Sequence, residues 1–110
     1  MKDILKDFDG YLVGGSIIEP SKDSIHFKGK IYLLVDNGVY SSAEMLASFC
    51  KETKLATLVG SRTAGDGIGV DPVQVDLPNT AFVMRFSNVM GVTESGSINE
   101  LDQTMPDIIV

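Results

Sequence analysis

The sequence predicts an α/β fold, and three observations predict it. Ile31 to Val35 is an unbroken apolar run rich in β-formers, as expected of a strand covered on both faces. After the turn pair Asn37-Gly38, residues Ser42 to about Glu52 carry apolar side chains at helical spacing, which predicts a helix of about three turns. A second short apolar run and two segments joined by Pro78-Asn79 follow, the pattern of a helix laid over a sheet with an added hairpin.

Taken in order, Met1 to Gly10 is charged and weakly amphipathic, with Ile4, Leu5 and Phe8 at helical spacing. Tyr11 to Val13 and Ser16 to Ile18 flank Gly14-Gly15, a short hairpin or a loop, and Glu19 to Ser24 is polar and turn-like around Pro20. The strand spans Lys30 to Asp36. In the helix, Met45, Leu46, Phe49 and Cys50 form one apolar stripe, and Ala43 and Ala47 allow close packing;. Leu55 to Val59 reads as a second buried strand. Gly60 to Gly69 is a glycine-rich loop without the Gly-Lys-Ser/Thr or the following helix that a phosphate site needs;. Pro72 to Leu77 alternates, with Val73, Val75 and Leu77 on one face, and Ala81 to Phe86 returns as its partner;. Pro106 to Val110 turns into a last short strand. No repeat or low-complexity tract is present;.

Length and charge narrow the function. A chain of 110 residues holds one domain;. With 44% hydrophobic and 22% charged residues it has the make-up of an ordinary globular protein;. A net charge of −6 without a Lys/Arg cluster argues against nucleic acid;. The single cysteine, Cys50, forms no internal disulfide and reads as a small core residue;. No run spans a bilayer. The dispersed carboxylates, one histidine and one cysteine give no zinc-ligand spacing, and Asp66 and Asp71 alone make a poor calcium loop;. No metal and no cofactor are expected.

One position stands out chemically. Ser41 lies three residues before Glu44, the spacing of a helix N-terminus with a capping box;. A serine there sits at the positive end of a helix dipole, beside backbone N–H groups that lack intrahelical partners and can stabilise an oxyanion. The same spacing is most often a cap and nothing more. On either reading Ser41 should cap the helix with its hydroxyl reachable from a cleft, and Ser41→Ala should cost about 0.5–2 kcal/mol.

Leu33-Leu-Val-Asp-Asn37, Ser41-Ser-Ala-Glu44, Thr57-Leu-Val-Gly-Ser-Arg-Thr-Ala-Gly65, the hairpin at Leu77-Pro78 and Met105-Pro-Asp-Ile-Ile-Val110 occur in this order. Together they resemble the tail-specific (C-terminal-processing) and tricorn-like serine peptidases. The resemblance implies a partial crotonase-like (ClpP/crotonase-type) layered fold. It covers residues 28–110, the C-terminal part of a catalytic domain, with residues 1–27 a weakly matched lead-in. It makes Ser41 the nucleophile, gives the N–H of Ser42 an oxyanion role, and leaves Glu44 a cap. Where the tail-specific branch carries a basic lysine, this chain has Asp66 between Gly65 and Gly67, a poor base near its ordinary pKa of about 4. The tricorn-like branch uses a histidine oriented by a glutamate six positions before the Pro-Asp-Ile, here Glu100, with Glu94 a weaker candidate. The sole histidine, His26, lies just before the first strand and reads as a surface residue. The base and the second oxyanion donor are then expected from an N-terminal region outside these residues. The fragment alone should be nearly inactive, with a peptide or protein as substrate. Open sheet surfaces should favour self-association. The alternative is a non-catalytic ligand- or peptide-binding module on the same fold, as in the retinoid-binding repeats to which that family is similar. Compartment is unspecified.

Overall fold

The computed structural model describes residues 6, 8–11, 13–15, 17–66, 72–93 and 95–110. Ile4, Leu5, Gly67, Gly69, Asp71 and Glu94 lie outside the described residues. In chain order the elements are β1 (Tyr32–Val35), α1 (Ser42–Thr53), β2 (Thr57–Gly60), β3 (Val73–Leu77), β4 (Phe82–Phe86), α2 (Asn99–Asp102) and β5 (Ile108–Ile109). The architecture is mixed α/β, as predicted. The one-turn helix α2 was not expected.

β1, α1 and β2 form a strand–helix–strand unit in which β1 and β2 are parallel, with Tyr32 opposite Thr57 and Val35 opposite Gly60. β5 joins the other edge of β2, also parallel, so the sheet order is β1-β2-β5. Gly60 is required where it stands. Its φ is +139°, and a Cβ there would come within 1.8 Å of the Val35 carbonyl oxygen. β3 and β4 make a separate antiparallel ribbon from Val73–Phe86 to Leu77–Phe82. Its turn is closed by the N–H groups of Thr80 and Ala81, which both donate to the Leu77 carbonyl. Ala81, expected to begin the return strand, sits in that turn at φ 56°.

The core is small: Val35, Ala47, Cys50, Ala56 and Leu58, with Leu33 and Val39 packed against it. Burial raises the Cys50 thiol pKa above its ordinary value;. Two expectations about covering are corrected. β1 is not covered on both faces, because Val35 is buried while Leu34 on the opposite side is 78% exposed. Nor does α1 rest on the whole predicted stripe: Cys50 is buried as expected, but Met45, Leu46 and Phe49 are half-exposed. Beside Cys50 the helix buries Glu44, Ala47 and Ser48. The small side chains bring the helix close to the sheet, and the long apolar ones are left on its flanks.

The ribbon likewise shows both faces. On one face Val75 is 43% exposed and Phe82 70%, and on the other Val83 is 56%, so its alternation marks a face that nothing among the described residues covers. The residues around Gly14-Gly15 form no strand among those described, and Val13, Ile17 and Ile18 are exposed.

Candidate active site

The segment ahead of α1 is pinned at several points. The Asp36 carboxylate accepts from Gly38 N at 2.8 Å, and the Asp36 carbonyl accepts from Val39 N at 3.1 Å. Asp36 thus closes the turn, and neither Asn37 nor Gly38 needs the positive φ for which that pair is suited. Ala64 N then donates to the Val39 carbonyl at 2.9 Å, and Tyr40 forms a parallel bridge with Gly65. With Val39 and Tyr40 held in extended pairing, the whole change of direction into α1 falls on Ser41. Its φ of 56° and ψ of −130° lie in a region suited to glycine; for other residues such conformations cost about 1–3 kcal/mol.

Ser41 is exposed and precedes α1 as expected, but its side chain makes no capping hydrogen bond. Its carbonyl accepts from Met45 N at 2.9 Å, while Glu44 N reaches only the Tyr40 carbonyl, at 3.4 Å. Ahead of those bonds, the N–H groups of Ser42 and Ala43 have no acceptor among the described residues. Two free donors at the positive end of a helix can bind an oxyanion.

Glu44 does not cap. It is fully buried, and its Oε1 accepts from Asn99 Nδ2 at 2.7 Å and from Thr104 Oγ1 at 2.6 Å. Oε2 is buried without a partner among the described residues. The capping-box reading fails because these long-range donors outcompete the local N–H for the carboxylate.

Glu100 is exposed in the first turn of α2. With Asp66, Ser87, Val89, Met90 and Asn99 it lines a cavity of about 250 Å³. A larger, more open depression of about 410 Å³ joins Glu100 and Asp66 to Arg85 and Ser87. Ser41 is not among the described residues lining either one. The structure links the two regions through Gly65. At φ 83° it pairs with Tyr40, and a Cβ on it would come within 2.8 Å of the Asn99 carbonyl oxygen and 3.6 Å of that of Glu100. Asp66 follows at φ 62°, exposed. His26 is exposed on the irregular segment before β1.

Asp107 was not singled out as a functional residue, and the structure gives it a holding role. Its Oδ2 accepts from Leu58 N at 2.9 Å, its own N–H donates to the Leu58 carbonyl at 2.8 Å, and Oδ1 pairs with Lys51 of α1. The Lys51 hydrogen bond, then the Leu58 N–H, hold its pKa below the ordinary carboxylate value;. Among the described residues no three His, Cys, Asp or Glu side chains converge as a metal site, and no helix is long and apolar enough to cross a membrane.

Residues 9–110 match the profile of peptidase family S41. Solved structures share the fold. A protein from Parabacteroides merdae ATCC 43184 described as a peptidase superposes with a TM-score of 0.69 at 24% identity over 84% of this chain and 28% of its own. Mature CPAF gives 0.64 at 26% identity over 84% of this chain and 17% of its own. The photosystem II D1 C-terminal processing protease gives 0.57 at 28% identity over 76% and 21%. This chain therefore spans less than a third of the length of these structures. No curated protein sequence matches it.

Proposed function

The chain belongs to peptidase family S41, and from that premise we propose that it contributes the nucleophilic part of a serine endopeptidase domain of crotonase-like layering, residues 28–110, with Ser41 as nucleophile. The observation that carries this reading is the backbone at Ser41. A non-glycine residue at φ 56°, ψ −130°, exposed and with no cap bond to compensate, stands directly before two free N–H donors. Strain of this kind collects at functional sites, where it aims a side chain outward at a helix start.

On this reading a peptide carbonyl docks against the Ser42 N–H. The Ser41 Oγ attacks the carbonyl carbon as its proton passes to a base, and the negative charge on the carbonyl oxygen is met by that N–H. Collapse of the tetrahedral intermediate expels the amine, which takes the proton from the base, and water then releases the acyl group by the reverse steps. Neither Asp66 nor His26 suits the role of base. The proposed base is a histidine from outside residues 1–110, with the Glu100 carboxylate stabilising the imidazolium. The cavity beside Glu100, at about 250 Å³, is ample for an imidazole ring. The isolated 110 residues are then nearly inactive, and their partner is a peptide or protein substrate.

The test is made in the full-length protein with a fluorophosphonate label and an unstructured peptide substrate. Ser41→Ala should abolish labelling and hydrolysis, Glu100→Gln should lower kcat about a hundredfold or more, and activity should fall as pH drops through roughly 6–7. Labelling that persists in Ser41→Ala overturns the nucleophile assignment. A wild-type protein that binds peptide without cleaving it favours the binding-module alternative.

A further inference from the structure

Glu44 is the one carboxylate in the described structure that is fully buried, and the proposed chemistry does not use it. It lies in the first turn of α1, three residues after Ser41. Both donors to its Oε1 come from the segment that carries Glu100. Asn99 immediately precedes Glu100, and Thr104 follows α2. A carboxylate only accepts, so the Asn99 amide must present its NH₂ to it, which fixes that side chain's orientation.

Thr104 is in turn locked to the loop after β2. Its N–H donates to Thr63 Oγ1 at 2.8 Å, and its carbonyl accepts from Thr63 N at 3.1 Å. Thr63 is followed by Ala64 and Gly65, whose backbones pair with Val39 and Tyr40. The connections close a ring: Ser41 to Glu44 along the helix, Glu44 to Asn99 and Thr104, Thr104 to Thr63, and Gly65 back to Tyr40. One buried oxygen thus joins two segments far apart in sequence, Asn99 and Thr104 standing 55 and 60 positions after Glu44, and the loop at Thr63 is tied in through Thr104.

A carboxylate is an expensive choice for a merely structural post. Its second oxygen is buried with no partner among the described residues, and an apolar side chain of similar size would avoid that desolvation penalty. What an apolar residue cannot do is hold Asn99 and Thr104 at fixed angles.

We propose that Glu44 is a positioning residue that sets the Glu100-bearing turn relative to Ser41 through its shared hydrogen bonds to Asn99 and Thr104. This rests on the reading of Ser41 as nucleophile and Glu100 as orienter. It requires that the bonds at Oε1, rather than the charge, do the positioning. A misplacement of about 1 Å between reacting groups is enough to cost about a hundredfold in rate.

The experiment is peptide hydrolysis by the full-length protein, with kcat and KM separated and the fold of each variant checked by circular dichroism. Glu44→Gln keeps an acceptor oxygen and should retain kcat within about threefold. Glu44→Leu removes the acceptor and should lower kcat at least about tenfold, with KM nearly unchanged. Thr104→Val removes one donor without changing the side chain's shape, so it serves if Glu44→Leu does not fold, and it should lower kcat in the same sense. A folded Glu44→Leu or Thr104→Val with wild-type kcat overturns the proposal, as does a Glu44→Gln as impaired as Glu44→Leu. Ser41→Ala separates the two claims. If it leaves hydrolysis intact, the nucleophile reading has failed and this inference with it. If it abolishes hydrolysis while the Glu44 and Thr104 variants keep full kcat, only this inference has failed.

Discussion

At Ser41 the chain accepts a positive φ although no hydrogen bond of its hydroxyl offsets the strain. The thermodynamic expectation for substitution there changes accordingly. Without a cap bond to lose, Ser41→Ala should alter stability by less than about 0.5 kcal/mol rather than the 0.5–2 kcal/mol of a capping serine. Ser41→Gly, which removes the Cβ from an unfavourable region, should raise it by about 1 kcal/mol. Urea unfolding of both variants measures this, and a Ser41→Ala loss of a full kcal/mol would restore the cap. The helix start was legible in the sequence because serine, glutamate and the apolar spacing are local signals. The conformation of Ser41 was not, since it results from Val39 and Tyr40 being held by Ala64 and Gly65. Glu44 was misread for the same reason: the partners that claim it are Asn99 and Thr104, and no local pattern announces them.

Among the elements, Asp107 fastens β5 to β2 through Leu58 and to α1 through Lys51. Its folded pKa lies below the ordinary value of 3.8, so the unfolded chain takes up a proton on this group before the folded one does. The contribution to stability is therefore complete above about pH 4 and is lost as pH falls through the lower, folded value. Asp107→Asn should flatten the fall in urea midpoint below about pH 4; an unchanged slope would mean that the pairing adds nothing. The strands themselves were readable from their apolar runs, and β5 from Pro106 followed by two isoleucines. Helix α2 was not, because four residues are too few for a periodic signal;. The face that α1 buries was also hidden. Periodicity points to Met45, Leu46 and Phe49 along with Cys50, whereas the buried side is Glu44, Ala47, Ser48 and Cys50.

As a whole the molecule exposes 8972 Å², about half again the roughly 5,900 Å² of a compact monomer of 11.8 kDa;. Leu34 on the open side of β1, Phe82 and Val83 on the ribbon and Leu46 and Phe49 beside them in character are uncovered apolar surface, more than a solitary folded chain ordinarily leaves in water. The isolated 110 residues should therefore self-associate, with a sedimentation coefficient that rises with concentration in the tens of micromolar; a compact monomer throughout that range would contradict it. The Asp107 clamp also bears on the order of events during folding. β1 and β2 meet across a short sequence separation, Tyr32 with Thr57, whereas Asp107 reaches Leu58 across 49 residues and Lys51 across 56. Closing the longer loop costs more chain entropy before any contact offsets it, so the strand–helix–strand unit is expected to form in the transition state and β5 to dock after the barrier. Asp107→Asn should then leave the refolding arm of a chevron nearly unmoved and raise the unfolding arm, whereas Ala47→Gly in α1 should slow refolding. On that order of events, what the clamp governs in time is how long the finished sheet stays closed, and hardly at all how quickly it is made.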